Sequence, residues 1–432
     1  MDSTSPQRIL VANAWGSNRG DEAMLNTLYR LITSIAPGAT VDIAPFRDEN
    51  LDVDPGMRVQ RDRIGIHRYV SMPSPVARRG QHRAVRPVLR RLVARPQVWR
   101  RPLRRFVESY DLVLHAPQGP GIGDMYPDLK LDLLRILETA RLAGVPYAMA
   151  GVSLGPFEDG TPDERYTSDV LQAAEAIVVR EDISLAHVLA RYPQLDNVQA
   201  AIDIVYALAP APALDGDGRL GEVASSVDAG TIGACISLTP ARDPGNAFDV
   251  DGYVAGFVAL LDHVLRTTSA PIVLFPHIAH DLPQLERIAR SVTAPDRVRI
   301  LPPELDSDAQ RAVIAKLGFF ISSRYHPTVF AVQSQVPFLC IKNQFKVEGM
   351  LDKLGLGALP ACWQDEPLDV QRRAFDESWN ARDEIRSALG GAAARAEALA
   401  ATYRETLSAV LAPAPAAYEV WAAPQVVGAS SA

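Results

Sequence analysis

The chain contains little cysteine and no long apolar run. Its 432 residues include three cysteines, Cys235, Cys340 and Cys362. They are too few and too far apart for a disulfide framework or a zinc site, and thiols within apolar runs are usually buried and structural. A membrane-spanning helix needs about 20 consecutive apolar residues, and the sequence has no such run. A disulfide-rich protein and a membrane-spanning protein are therefore not expected.

An apolar signal core is also missing, because residues 1–8 are polar. We therefore predict a cytoplasmic enzyme. The composition, 47% apolar and 22% charged, is typical of a globular protein. A chain of this length is too long to pack around a single hydrophobic core of ordinary size. We expect an N-terminal domain at 1–212, a C-terminal domain at 213–390, and a helix with a loose tail at 391–432. The linker is predicted in the Pro/Ala/Gly/Asp-rich run at 210–221.

Short β-rich runs alternate with helical patterns in both halves of the chain. This alternation is typical of βαβ units, in which helices cover both faces of a parallel sheet. We predict an α/β protein of two Rossmann-like, doubly wound domains that face a cleft. Strands are predicted at 8–14, 40–44, 111–116, 146–152, 176–179, 198–201, 232–238, 272–276, 298–301, 319–322 and 338–341. Helices are predicted at 24–35, 129–143, 184–191, 254–265, 282–291, 309–317, 328–334 and 392–411.

Positive charge is concentrated in one segment. Residues 78–105 hold eleven arginines and no acidic residue, whereas the whole chain has a net charge of −7. Apolar residues lie among the arginines, and such a segment can bind an anionic membrane surface or a lipid diphosphate. The alternative is a solvated loop whose arginines form ion pairs with acidic residues elsewhere in the chain. No aromatic stacking platform accompanies the arginines, so we do not expect nucleic acid. The membrane alternative would place the protein at the inner face of the membrane.

Two glycine-rich segments follow predicted strands, at the edge where open α/β sheets bind ligands. The first contains Gly16, Asn18, Gly20 and Asp21 and leads into a helix whose N-terminus favours anions. It predicts substrate contacts, with helix capping by Asp21 as the alternative. The second contains Gly119 and Gly121 and follows the strand that ends near residue 115. It predicts either a substrate-binding turn or a merely structural one.

The most informative cluster lies between a predicted strand and helix in the second half. Ser323, Arg324 and His326 stand there, and Lys346 occupies the same edge of the next βα unit. The guanidinium of Arg324 suits a carboxylate or phosphate, and a histidine exchanges protons near neutral pH. Arg324 and His326 lie near a helix N-terminus, which itself favours anions. Together with Lys346 they predict a site for a small anion.

Two further positions follow buried strands. Arg180 either reaches the cleft or forms a surface ion pair with Glu181 or Asp182. His277 and His280 have a spacing that a metal could use, but no third ligand is evident nearby. We therefore prefer substrate contacts by His277, or helix capping by Asp281, and predict no metal site.

Together these segments resemble the polysaccharide pyruvyl transferase family. The matching parts are residues 16–23, residues 179–184, Ser323-Arg324-Tyr325-His326, Ala331, Val336-Pro337, Lys346 and Gly355-Leu356. The resemblance runs over about residues 8–360. Its most specific part is the Ser-Arg-x-His block followed by a lysine.

The resemblance implies the fold of the B-type glycosyltransferases and transfer of a pyruvyl group from phosphoenolpyruvate to two hydroxyls of a sugar, forming a ketal. It makes His326 the acid/base, and it places Arg324, Arg180 and Lys346 around the donor's carboxylate and phosphate. No cofactor is implied beyond phosphoenolpyruvate as donor substrate. The acceptor would be a sugar, free or linked to a lipid or nucleotide.

The sequence departs from the family at two places near the expected cleft. Residues 115–121 replace a run of glycines, and Tyr325 and Pro327 replace the usual leucine and alanine. The acceptor can therefore differ. A nucleotide-sugar glycosyltransferase and a non-catalytic binding protein of the same fold are the alternatives, and intact Arg180, Arg324, His326 and Lys346 argue against the second.

Overall fold

The computed structural model describes residues 6–16, 18–46, 53–60, 100–208, 223, 226–242 and 247–412. The predicted linker at 210–221 and the tail from residue 413 lie outside these ranges. So does the arginine-rich segment as far as residue 99. The last residues of that segment belong to a helix that begins at Arg100. Among the described residues, no helix has the length and apolar character needed to cross a membrane.

A parallel sheet forms the N-terminal domain. Its strand order is β3-β2-β1-β4-β6-β7-β8, with β5 beside β6. The strands are β1 (Arg8–Ala14), β2 (Thr40–Pro45), β3 (Arg58–Val59), β4 (Leu112–His115), β5 (Gln118–Ile122), β6 (Tyr147–Leu154), β7 (Ile177–Val179) and β8 (Val198–Ala200). The helices are α1 (Arg19–Ile35), α2 (Arg100–Val107), α3 (Pro127–Ala143), α4 (Glu164–Gln172) and α5 (Asp182–Arg191), followed by a 3₁₀ turn at Ile204–Ala207.

A second parallel sheet forms the C-terminal domain, in the order β11-β10-β9-β12-β13-β14. The strands are β9 (Ile232–Cys235), β10 (Ile272–Leu274), β11 (Val298–Ile300), β12 (Phe319–Ser322), β13 (Phe338–Lys342) and β14 (Ala361–Trp363). The helices are α6 (Val250–Thr267), α7 (Leu282–Ser291), α8 (Ser307–Ile314), α9 (Tyr325–Gln333), α10 (Phe345–Lys353), α11 (Leu368–Asn380) and α12 (Arg382–Leu411), with 3₁₀ turns at Ala279–Asp281 and Pro295–Arg297. The two doubly wound sheets confirm the predicted fold class.

The two faces of the N-terminal sheet belong to different cores. Leu10 and Ala12 of β1 point into a core made within the N-terminal domain. Ile9 and Val11 point to the other face, which is continuous with apolar residues of the C-terminal domain. This follows from the period of two along a strand. Burial on both faces explains why the strands are almost uniformly apolar.

The last helix returns to the first domain. Helix α12 begins at Arg382, earlier than the predicted residue 392, so the predicted boundary at 390–391 falls inside it. The Tyr403 hydroxyl donates to Ile202 O at 2.5 Å, and Gln199 Nε2 donates to Thr406 Oγ1 at 2.8 Å. The helix therefore connects the two domains.

The second glycine-rich segment is a strand, not a turn, so that expectation was wrong. Gly119 and Gly121 lie in β5, which pairs in parallel with β6. A Cβ at Gly121 would lie 2.6 Å from Leu133 Cδ1. The glycine there is explained by the close approach of α3 to an extended strand, not by a turn conformation.

Candidate active site

The carboxyl ends of both sheets meet where α1 faces α9. The ring of His326, in α9, packs directly against Gly20 at the start of α1. A Cβ on Gly20 would lie 1.9 Å from His326 Nδ1. A side chain at position 20 would therefore displace the imidazole, and only glycine fits. Gly16 is half-buried in the loop that precedes this contact.

Asn18, and not Asp21, caps helix α1. Asn18 Oδ1 accepts hydrogen bonds from the backbone N–H groups of Gly20 and Asp21, each at 2.9 Å. The alternative in which Asp21 serves as the cap is therefore wrong. Asn18 Nδ2 also donates to Asp21 Oδ2 at 2.6 Å, and this bond fixes the carboxylate. Burial raises the pKa of Asp21, while the nearby charges of His326, Arg180 and Lys346 oppose that rise. Asp21 thus faces the cations of the cleft.

Arg180 is 3% exposed. It does pair with Glu181, one of the two predicted partners, but the pair is buried and not on the surface. Its Nη1 lies 3.2 Å from Asp203 Oδ2, and its Nε lies 3.2 Å from Glu181 Oε2. Nε also donates to Ser153 Oγ at 2.9 Å. A buried guanidinium requires such partners. A Cβ on Gly119 would lie 3.8 Å from Arg180 Nη2, so β5 passes beside the guanidinium.

The aromatic ring of Tyr325 contacts two cations. The centre of its ring lies 5.2 Å from Arg180 Cζ and 5.3 Å from Lys346 Nζ. Both distances are within the range of cation–π contacts. Among residues with described positions, no hydrogen bond or ion pair reaches Lys346 Nζ. Burial and the charge of Arg180 lower the pKa of Lys346 from 10.5 to about 8.

Arg324 is held in place by groups of its own domain. Its Nε donates to Ile236 O and its Nη2 to Asp281 Oδ1, each at 2.5 Å. Asp281 also accepts from the backbone N–H groups of His277 and Ile278, at 3.2 Å and 3.1 Å. The side chain of Arg324 remains 16% exposed. Asp281 therefore bonds the turn that precedes it and makes no side-chain cap bond to helix α7. The predicted helix-capping role is wrong, and Asp281 instead orients Arg324.

Two buried imidazoles lie side by side. The ring centroids of His277 and His326 are 6.4 Å apart, with planes inclined by 23°. Burial and the charges of Arg324 and His326 lower the pKa of His277 well below its usual value. His280 is exposed and lies apart from this pair. Within the described ranges, no group of three His, Cys, Asp or Glu side chains is placed to hold a metal ion.

Ser323 lies beneath the site. It is 1% exposed, and its hydroxyl donates to Cys235 O at 2.9 Å and lies 3.2 Å from the Tyr253 hydroxyl. Its hydroxyl is therefore used to join β9, β12 and α6. Of the predicted residues, Gly20, Asp21, Arg180, Arg324, His326, Lys346 and His277 converge, whereas Ser323 and Gly121 serve packing.

The cleft therefore has two rims of different character. We call Asp21, Arg180 and Asp203 the N-terminal rim, and Arg324, His326 and Lys346 the C-terminal rim. Backbone contacts join the domains beside them, since Arg19 N donates to His277 O at 3.2 Å. Such a constellation of cations and one imidazole can bind a small polyanion and transfer protons next to it.

A family model for polysaccharide pyruvyl transferases matches residues 18–344. The chain belongs to this family. It is accordingly a transferase. The matched range includes the N-terminal rim and both Arg324 and His326, and it ends before Lys346. No curated protein sequence matched the chain.

Solved structures share the fold of this pyruvyl transferase family member. MnaA from S. aureus, solved with UDP, has a TM-score of 0.56 at 11% identity over 89% of this chain and 91% of that one. A UDP-forming α,α-trehalose-phosphate synthase from Burkholderia xenovorans has a TM-score of 0.52 at 11% identity over 94% and 98%. A sucrose-phosphate synthase from Thermosynechococcus elongatus has a TM-score of 0.50 at 12% identity over 91% and 94%. The fold is that of the B-type glycosyltransferases.

Two carboxylates of the transferase's site were not predicted. Asp281 was considered only as a cap, and Asp203 was not considered. Asp203 stands in the run Ala201-Ile202-Asp203-Ile204-Val205, directly after β8. A single acid among apolar residues at a strand end must be buried with a partner. That pattern was the signal in the sequence from which Asp203 could have been predicted.

Proposed function

We propose that this transferase moves a pyruvyl group from phosphoenolpyruvate to two hydroxyls of a sugar or sugar-like acceptor, forming a cyclic ketal. The observation that carries the proposal is Lys346. It is a cation beside Arg180 whose ammonium has no carboxylate partner among the described residues. Burial and the neighbouring charge of Arg180 lower its pKa to about 8. A bound anion would compensate the charge of the ammonium.

The other two cations are partly neutralised by the protein. Arg180 has Asp203 and Glu181, and Arg324 has Asp281. These carboxylates hold the guanidinium groups in fixed orientations before any ligand arrives. Phosphoenolpyruvate carries a carboxylate and a phosphate, which match planar guanidinium donors and a compact ammonium. We assign the donor's two anionic groups to Arg180, Arg324 and Lys346 together.

The chemistry needs a proton donor next to C2 and C3 of the donor. Protonation of C3 converts the methylene to a methyl group, and the first acceptor hydroxyl forms a bond to C2 and loses its proton. The second hydroxyl then attacks C2, the bond from C2 to the phosphate oxygen breaks, and its proton leaves with the phosphate. We assign the C3 proton and the proton of the first hydroxyl to His326, whose contribution would be about 10²–10⁴-fold in rate.

Calorimetric binding of phosphoenolpyruvate tests the donor assignment. The variant is Lys346→Ala, and the matched control is Lys342→Ala, because Lys342 already pairs with Glu348 at 2.8 Å. We expect wild type and Lys342→Ala to bind, and Lys346→Ala to lose at least about tenfold in affinity, corresponding to about 1.4 kcal/mol. Equal affinities in all three proteins would contradict the assignment.

A nucleotide-sugar glycosyltransferase is the second candidate, because MnaA was solved with UDP and shares the fold. UDP-sugars are therefore titrated in parallel. Binding of a UDP-sugar without binding of phosphoenolpyruvate, with or without sugar acceptors present, would favour this candidate. Release of phosphate from phosphoenolpyruvate in the presence of an acceptor would favour pyruvyl transfer.

A further inference from the structure

Asp203 reaches the proposed acid/base from the opposite domain. It follows β8 in the N-terminal domain and is fully buried. Its Oδ1 accepts a hydrogen bond from Val205 N at 3.0 Å and so caps the 3₁₀ turn at Ile204–Ala207. This leaves Oδ2 directed toward the cleft. The two oxygens therefore have separate tasks.

Asp203 Oδ2 lies between a cation and an imidazole. It is 3.2 Å from Arg180 Nη1 and 3.6 Å from His326 Nε2. His326 Nε2 is a buried nitrogen without a hydrogen-bond partner among the described residues. His326 Nδ1 instead lies against Gly20, at the meeting of the two domains. The two ring nitrogens therefore have different surroundings.

The other charged or titratable groups around the imidazole are poorer hydrogen-bond partners for His326 Nε2 than Asp203 is. Asp21 faces it from α1, but its carboxylate is bonded to Asn18, and burial raises its pKa. His277 lies beside it, and burial keeps that ring neutral. Tyr325 precedes it in α9, and burial raises the pKa of the phenol well above its usual value.

Neighbouring charges keep the Asp203 carboxylate ionised. The charges of His326 and Arg180 hold the pKa of Asp203 at about 2 in spite of its burial. Lys346 and Arg180 are the cations of the same cluster. At neutral pH the carboxylate is thus a negative charge beside Nε2.

We propose that Asp203 is the positioning residue for His326: Oδ2 accepts the Nε2–H, fixes that tautomer and stabilises the imidazolium. The ring nitrogen that lacks this bond then carries out proton transfer. Its catalytic consequence rests on the proposed function. There, Nδ1–H of the imidazolium protonates C3, and the neutral Nδ1 next accepts the proton of the first hydroxyl as that oxygen bonds to C2. That second transfer regenerates the imidazolium. The proton of the second hydroxyl leaves with the phosphate.

The pairing is tested without substrate by NMR on protein labelled with ¹⁵N-histidine, in which His326→Gln assigns the signal. In wild type we expect the neutral ring of His326 to carry its proton on Nε2. We expect Asp203→Asn to lower the titration midpoint of His326 by about one pH unit or more. Glu181→Gln is the matched control, because it removes the other carboxylate of Arg180 and leaves Asp203 in place. It should leave the midpoint unchanged.

Several outcomes would overturn the proposal. One is an Nδ1–H tautomer in wild type, which decides the matter even if Asp203→Asn fails to fold. Others are an unchanged midpoint in Asp203→Asn, or equal shifts in Asp203→Asn and Glu181→Gln. Each contradicts a specific pairing between Asp203 and His326.

Kinetics then separate a positioning role from a structural one. In Asp203→Asn we expect kcat to fall by about 10²-fold, a larger change than the rise in KM for phosphoenolpyruvate that follows from weakening the Asp203–Arg180 pair. The alkaline limb of the pH–rate profile should move to lower pH. An unmoved profile with the same loss in kcat would assign Asp203 a structural role only. If wild type does not turn over phosphoenolpyruvate, the proposed function fails, and the NMR result still decides the pairing.

Discussion

The two rims of the cleft differ in how their charges are balanced. The N-terminal rim carries its own compensation, since Arg180 lies between Asp203 and Glu181 and Asp21 is bonded to Asn18. The C-terminal rim is undercompensated, since Arg324 has one carboxylate and Lys346 has none among the described residues. The first rim is thus preorganised, and the second retains charge for a ligand.

The largest expected effect comes from pushing the rims apart at Gly20→Ala. The new Cβ would lie 1.9 Å from His326 Nδ1, so the imidazole must move. A misplacement of about 1 Å can lower the rate of pyruvyl transfer by about 10²-fold. The measurement is kcat for phosphate release.

Gly256→Ala is the control, because a Cβ there has open space in α6. It should leave kcat unchanged and raise stability by about 0.5–1 kcal/mol. A fully active Gly20→Ala protein would show that the contact between the rims is dispensable.

A smaller effect is expected at Tyr325, whose ring contacts one cation from each rim. Tyr325→Leu removes both contacts, at about 1 kcal/mol in total, and should weaken binding of phosphoenolpyruvate about fivefold. Tyr325→Phe keeps the ring and should bind like wild type. Calorimetric titration with phosphoenolpyruvate measures the affinities of both variants. If the Leu and Phe variants bind equally well, the aromatic ring does not hold the two cations.

The smallest effect is a proton taken up on binding. Above pH 8 Lys346 of the free protein is mostly neutral, because its pKa is about 8. A bound anion raises that pKa, so at pH 9 we expect uptake of about one proton, and none at pH 6.5. Affinity should accordingly fall as the pH rises through 8.

Calorimetry in buffers of different ionisation enthalpy measures the uptake. Lys346→Arg should abolish it while retaining binding, because a guanidinium stays protonated. Equal uptake in wild type and Lys346→Arg would assign the proton to another group.

The fold was predictable because apolar periodicity is local. The strands at Arg8–Ala14 and Phe319–Ser322 were predicted with their observed bounds. Strand β5 was not, because Gly119 and Gly121 have glycine's turn propensity. The need for glycine at position 121 comes instead from the close approach of α3. Neighbours distant in sequence override local propensity there.

The candidate site was predictable where side-chain chemistry is specific and the residue is near a strand end. His326, Arg324 and Lys346 satisfied both conditions. Asp203 did not attract notice, because an isolated Asp in an apolar run reveals its partners only after folding. Asn18 took the cap expected of Asp21 for a similar reason, since either side chain suits an N-cap by type. Pairings between residues far apart in sequence were the part that the sequence left open.

The return of α12 to the first domain has a consequence for synthesis on the ribosome. The apolar face of the N-terminal sheet that contains Ile9 and Val11 is covered in part by Tyr403 and Leu407. Those residues follow both sheets along the chain. The first domain therefore emerges with that surface incomplete, and its full burial waits until α12 has been synthesised. Truncation before α12 would leave both sheets complete but would expose this apolar surface, which is of the kind that chaperones bind.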